Sequence, residues 1–166
     1  MIVLCLVNTY DKVNLKEAHL RAIARASALC YAFDFHLALL DFPFWKNVEE
    51  VVEEVANYTT IGDGNYVKEL EKVKRLHIIE KIPAHFGKII ATTSKPDEKK
   101  KLKFEEISKI RTATFLIGLG RKGLPRELMD LAEFHLDVTM KGISLETCTA
   151  MGAIAMLIAM VRGWKK

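Results

Sequence analysis

Cysteine is scarce in this chain, and nothing in its placement does chemistry. Cys5, Cys30 and Cys148 are odd in number, far apart and form no CxxC pair. That excludes a disulfide framework and reads as free, buried thiols of a reducing compartment, which places the protein in the cytoplasm. The five histidines are equally scattered, and no His/Cys spacing suggests a metal site. The N-terminal MIVLCLVNTYD has an apolar run but no basic lead-in and no small-residue cleavage site, so it reads as a strand rather than a signal peptide. The longest apolar stretch, AMGAIAMLIAMV at 150–161, falls short of the roughly 20 residues a membrane span needs and reads as a buried helix. Repeats, low-complexity tracts and linkers are absent as well, so the 166 residues are expected to form one domain, 1–166.

What is present is an ordinary globular composition, half hydrophobic and 28% charged. The formal charge of +4 permits a polyanionic partner without requiring one. Ile2 to Val7 is a continuous apolar run suited to a strand buried on both faces. From Asn14 to Phe33, Leu15, Ala18, Ala22, Ala26, Leu29 and Phe33 fall on one helical stripe. Phe35 to Phe42 reads as a second strand. KNVEEVVEEVANY is an amphipathic helix with its glutamates in water, TTIGDGN (59–65) a loop, and Tyr66 to Arg75 a helix. Further strands are expected at 88–93, 115–119 and 134–140, with a short helix near 105–110, one opened by Pro125, and a last one from Ser144 to Arg162. This alternation predicts an α/β fold with a mostly parallel sheet of five strands flanked by helices.

The stretch FLIGLGRKGLPRELMDL, 115–131, spells GxGxxG at Gly118, Gly120 and Gly123. That is the dinucleotide-binding fingerprint, but it belongs after the first strand of its sheet, with more strands following. Here it follows the fourth predicted strand. Asp137 lies near the spacing of a ribose-binding acid but is read inside a strand, and Pro125 sits awkwardly for a phosphate-facing helix. The nicotinamide or flavin reading in its usual form fails.

Read onward, the segment FLIGLGRKGLPRELMDLAEFHLDVTMKGISLETCTAMGAIAML resembles motifs 2 and 3 of the SPOUT superfamily, the trefoil-knotted RNA methyltransferases that use S-adenosyl-L-methionine (AdoMet). RAIARASALCYAFDFHLALLDFP, 21–43, is similar to the family's motif 1, and IIATTSK to the stretch before its knot. The resemblance implies an α/β fold with a deep C-terminal trefoil knot, a rare exception to unknotted topology. It implies an AdoMet site at Thr92, Gly118, Gly123, Val138, Met140, Ser144 and Leu145, with Arg25 of motif 1 as the catalytic residue. It also implies a homodimer formed through the knot region, which would bury the apolar last helix, and a tRNA or rRNA substrate methylated on the ribose 2′-oxygen in preference to a base nitrogen.

Each of these positions also has a plainer reading. Ser144 suits a helix N-cap, Val138 and Leu145 ordinary core, and Arg25 a surface row with Glu17 and Arg21 at i, i+4 spacing. Arg25 suits phosphate grip and stabilisation of a forming alkoxide rather than proton abstraction, because guanidinium stays protonated. The chain departs from the family in three places: Gly120 stands where SpoU-type members carry glutamate, Glu146 where asparagine is common, and His19 near a motif 1 asparagine. Glu146 is therefore expected either to pair with Arg25 or to accept a proton, against the alternative of an acid at a helix start. Cys148 reads as packing. KKKLK (99–103) with Lys95 reads as a solvated charge run or an RNA contact, and Arg121 with Lys122 as flanks of the cofactor mouth. A rival function is a knotted AdoMet- or RNA-binding protein without transfer activity.

Overall fold

The sheet is assembled on both sides of its first strand. The computed structural model describes residues 1–58 and 65–163, so most of the TTIGDGN loop lies outside the described residues. β1 (Ile2–Val7) is buried at every position. It pairs in parallel with β2 (His36–Leu40) on one side and with β5 (Ala113–Gly118) on the other. β3 (Leu76–Ile79), β4 (Lys88–Thr92) and β6 (Phe134–Leu136) complete an all-parallel sheet of order β3-β2-β1-β5-β4-β6. Among the described residues six strands replace the expected five. The additional one, β3, is a short edge strand in a stretch the sequence pattern assigns to no element.

The helices are α1 (Glu17–Ala32), α2 (Val48–Val55), α3 (Tyr66–Lys72), α4 (Phe104–Ile107), α5 (Arg126–Leu131) and α6 (Thr147–Val161). Side chains alternate across a strand, so β1 divides its residues between two layers. Leu4 and Leu6 join Leu37, Leu39, Phe115 and Ile117 against Ile23, Val51, Leu70, Ile107, Met151 and Ile158 of the helices. Val3, Cys5 and Val7 face the other way, with Ala38, Leu40 and Leu116 under Phe86. Ile82, Leu124 and Leu128 complete that thinner cover.

The buried stripe of α1 runs through His19, Ala22, Ile23, Ala26, Ser27 and Cys30. It is rotated from the predicted stripe: Ala18 is exposed, and Leu29 and Phe33 are only half buried. Two polar residues hid the true face. Ser27 donates its hydroxyl to Ile23 O at 2.7 Å, and the fully buried His19 ring meets Asn8 Oδ1 at 3.1 Å, so both sit in the core with their polar atoms satisfied. Among the described residues no helix is long and apolar enough to cross a membrane.

Candidate functional site: a cleft at the strand ends

All six strands point their carboxyl ends the same way, and in open α/β sheets that edge is where ligands bind. Three loops leave it and enclose a cleft of about 730 Å³. The segment Thr92 to Lys95 follows β4, Gly118 to Leu124 follows β5, and Asp137, Val138 and Ile143 to Thr147 follow β6. Ile117, Leu136, Ala150 and Ile154 form its apolar floor.

Each loop is tied to another. Thr92 donates its hydroxyl to Leu116 O at 2.7 Å. Ser94 and Ser144 share a hydroxyl hydrogen bond at 2.8 Å, which joins the β4 loop to the β6 loop. The Thr147 hydroxyl lies 3.3 Å from both Gly118 O and Leu119 O, holding the start of α6 on the glycine turn. The Asp137 carboxylate accepts from Thr139 N (3.0 Å), Thr139 Oγ1 (2.7 Å) and Gly142 N (2.7 Å). Burial pushes its pKa up, but these hydrogen bonds outweigh that and hold it below the usual carboxylate value.

β6 therefore stops at Leu136, and Asp137 lies at the strand's end rather than inside it. Its expected strand-interior position is thus no argument against a ribose-binding acid, but three of its own loop's donors already occupy its carboxylate.

The glycine turn is dictated by packing. Gly120 N donates to Thr9 Oγ1 at 2.8 Å, and a Cβ at Gly120 would stand 2.6 Å from Thr9 O. No side chain fits there, so the SpoU-type glutamate is sterically excluded at this position. Gly123 has a different reason: its φ of +69° is a left-handed conformation that glycine adopts without cost.

Of the seven residues assigned to AdoMet by resemblance, six line this cleft: Thr92, Gly118, Gly123, Val138, Ser144 and Leu145. Met140 does not. It adopts φ +57°, is 48% exposed, and donates its N–H to Asp137 O at 3.2 Å. Ser144 is not the cap of the last helix either, since α6 begins at Thr147 with Glu146 as its N-cap.

The Glu146 carboxylate lines the cleft and accepts from Thr149 N at 3.1 Å. The Cys148 and Thr149 amides hold its pKa below the ordinary glutamate value, so it is an anion at neutral pH. Arg25 leaves the Glu17–Arg21 row, where those two form a 2.5 Å ion pair. It donates instead to Cys148 Sγ at 3.3 Å, and this contact, with the Glu146 charge behind it, raises the guanidinium pKa. Arg25 thus sits at the start of α6, beside Glu146 and without a direct ion pair to it.

Two lysines of the basic run have structural partners. Lys100 Nζ is held by Met129 O (3.3 Å), Asp130 O (2.8 Å) and Ala132 O (2.8 Å) at the end of α5. Lys101 pairs with Glu98 at 3.4 Å. Lys95, Arg121 and Lys122, by contrast, line the cleft and form no ion pair among the described residues. Sequence reasoning missed Thr9 and Thr147, which tie the loops together. Their signal is only position, one just after the β1 end and the other just after Ser144, Leu145 and Glu146.

Comparison with known proteins agrees with this architecture. The family described as "Protein of unknown function (DUF531)" matches residues 2–159. An uncharacterized protein of Methanocaldococcus jannaschii is 46% identical over 95% of this chain and 92% of its own length. Among solved structures, TrmJ from Z. mobilis superposes with a TM-score of 0.64 at 15% identity, covering 99% of this chain and 70% of that one. The SpoU methyltransferase AviRb from Streptomyces viridochromogenes, solved in complex with AdoMet, gives 0.57 at 14% identity, over 98% of this chain and 57% of that one. This chain is thus clearly shorter than either solved protein. It belongs to the DUF531 family and has the fold of the SPOUT RNA methyltransferases.

Proposed function

We propose that the protein is an AdoMet-dependent RNA methyltransferase that acts on tRNA or rRNA as a cytoplasmic homodimer, with the ribose 2′-hydroxyl favoured over a base nitrogen. One observation carries the reading. Thr92, Gly118, Gly123, Val138, Ser144 and Leu145 lie far apart in sequence, and they converge on one cleft at the carboxyl edge of the sheet.

The residues present fit a nucleoside cofactor. The cleft is within the range of small-molecule sites and mixes apolar walls with a few polar groups. Leu119, Val138 and Leu145 offer an apolar slot for a purine ring. The glycine turn borders the cleft, and Gly118 and Gly120 let it pack closely on Gly123 and Thr9. The Glu146 anion suits a cofactor that is cationic at sulfur and at its amino group. When bound, AdoMet supplies an electrophilic methyl group. The chain's own work is to align the acceptor with it and to exclude water. Arg25, which contacts Cys148 at the start of α6 and is not part of the cleft lining, is the residue assigned to grip the substrate phosphate or to stabilise the oxyanion that forms as a ribose hydroxyl loses its proton.

We also assign the knot to this region. Thr147 bonds the carbonyls of the β5 loop, and Gly142 packs so that a Cβ there would meet Ser94 O at 3.4 Å. Both contacts suit a tail passing between neighbouring loops. Met156 and Met160, two apolar residues of this apolar helix, are 47% and 66% exposed, which suits a face covered by a second copy.

The test incubates the protein with radiolabelled AdoMet and total RNA from a strain lacking the gene, followed by nucleoside analysis. Label in a 2′-O-methylnucleoside is the expected result. AdoMet binding by calorimetry with no label in any RNA selects the rival, a binding protein without transfer. That second reading is favoured by Glu146, whose carboxylate is already engaged in capping α6.

A further inference from the structure

The loop between β1 and α1, Asn8 to Lys16, takes no part in the proposed chemistry, yet it is built with unusual care. Asn8 is fully buried. Its side chain donates to Asp11 O at 2.8 Å, accepts from Tyr10 N at 3.3 Å, and meets His19 Nε2 at 3.1 Å. His19 Nδ1 accepts from Lys16 N at 2.9 Å, which leaves the ring proton on Nε2, facing Asn8 Oδ1. The Asp11 carboxylate receives Val13 N and Asn14 N, each at 2.8 Å. Thr9 anchors the loop to the cleft wall through Gly120 N.

A loop fixed this firmly holds two apolar side chains out in water. Tyr10 is 55% exposed and Val13 is 85% exposed. The Tyr10 ring rests on the His19 ring, with centroids 5.4 Å apart, and His19 is backed in turn by Phe42 and Phe44. One side of the tyrosine is therefore buttressed by a cluster of tilted and edge-on rings, and its hydroxyl makes no hydrogen bond among the described residues. Rigid aromatic faces displayed beside a cationic groove are how proteins hold unpaired nucleotides, because every base has a π-face and every nucleotide a phosphate. Arg121 and Lys122 supply cations next to Gly120, which Thr9 touches, and Lys95 supplies a third from the β4 loop across the cleft.

We propose that Tyr10 is the platform on which a base of single-stranded RNA stacks at the cleft mouth, while the strand's phosphates run over Lys95, Arg121 and Lys122. The inference rests on the methyltransferase reading and adds what that reading lacks, the presentation of the target. The substrate nucleotide is unpaired or flipped out, and it is held by stacking that tolerates any base rather than by hydrogen-bond readout. His19, the departure from the family's asparagine, then acts through Tyr10 as a positioning residue, since it is wholly buried and touches no substrate.

The test measures binding of a short fluorescein-labelled single-stranded oligoribonucleotide by anisotropy, with a second probe carrying 2-aminopurine. Tyr10→Ala is expected to weaken binding about 5- to 150-fold, the range found for loss of one stacked base. Tyr10→Phe should stay within about twofold, because the ring carries the contact. Tyr31→Ala is the control, a comparably exposed tyrosine at the opposite end of α1, and should leave affinity unchanged. The wild-type protein should quench 2-aminopurine on binding, a readout that needs no variant to fold. Unchanged affinity in Tyr10→Ala, an equal loss in Tyr10→Phe, or no quenching each overturns the platform while leaving the methyltransferase reading intact. Wild-type protein that binds neither AdoMet nor single-stranded RNA removes that reading, and the platform falls with it.

Discussion

Replacing Gly120 with alanine tests whether the glycine turn is shaped by sterics or by conformation. The added Cβ would lie 2.6 Å from Thr9 O and 3.0 Å from Thr9 C, both backbone atoms with no rotamer to yield. Restoring an ordinary C···O separation moves the two loops apart by at least about 0.7 Å. Overpacking of this kind costs about 1–3 kcal/mol. Separation also stretches the 2.8 Å bond from Gly120 N to Thr9 Oγ1, which is worth about 1 kcal/mol more. The expected destabilisation is about 2–4 kcal/mol, a fall in melting temperature of about 5–15 °C for a domain of this size. Gly123 provides the contrast. Nothing lies within 4 Å of a Cβ there, and its cost is the left-handed φ alone. Gly123→Ala should therefore lose about 1–2 kcal/mol, and Gly123→Asn less, because asparagine tolerates that conformation. Gly120→Asn should be at least as damaging as Gly120→Ala. Thermal denaturation of the four variants decides the matter. If Gly120→Ala melts within about 2 °C of wild type, the steric account is wrong.

Lys100→Met strips three carbonyls at the end of α5 of their ammonium partner, and should cost about 2–3 kcal/mol in chemical denaturation while leaving RNA affinity unchanged. Normal stability with weakened RNA binding would return the basic run to an RNA-contacting role. His36 Nδ1 lies 2.9 Å from His77 Nε2, and burial, with the neighbouring His77 second, lowers the His36 pKa to about 4. The unfolded chain then binds the extra proton first, so this stability is complete above about pH 6.5 and is lost as pH falls towards 4. After allowance for solvent screening of a half-buried ring, the loss is about 1–2 kcal/mol. His36→Phe should flatten the slope of stability between pH 7 and 5, and an unaltered slope would refute the assignment. Met156→Glu with Met160→Glu should give a monomer by analytical ultracentrifugation; a wild-type protein already monomeric at micromolar concentration defeats the dimer.

The parallel sheet was legible because buried strands are written as apolar runs, as in Ile2 to Val7 and Phe115 to Ile117. β3 was not. It has four residues at the sheet edge, three of them only half buried, so its apolar pattern is weak. The turn before it carries no punctuation: Lys74 takes φ +58°, where a glycine would have marked the end of α3. Asp34 does the same between α1 and β2 at φ +58°. In the site, six of the seven positions assigned by resemblance lie on one cleft, because the three loops that carry them all leave the same edge of the sheet. Met140 fell outside because Asp137 gathers the following amides and turns the loop away, an effect of one carboxylate that no spacing rule registers. Thr9 meets Gly120 across 111 residues, and such a pairing has no local signature.

The strand at the heart of the sheet is also the first one synthesised. Ile2 aligns with Ala113, so the nascent chain carries an all-apolar ribbon with one flank open until synthesis has passed Ala113. At ordinary elongation rates that wait is on the order of ten seconds, long enough for an unprotected edge to meet another chain. Expression yield should accordingly respond to translation speed and chaperone supply more strongly than to the final stability of the molecule. The sites most sensitive to this will be the residues of β1, which are the most sheltered of all once the protein is complete.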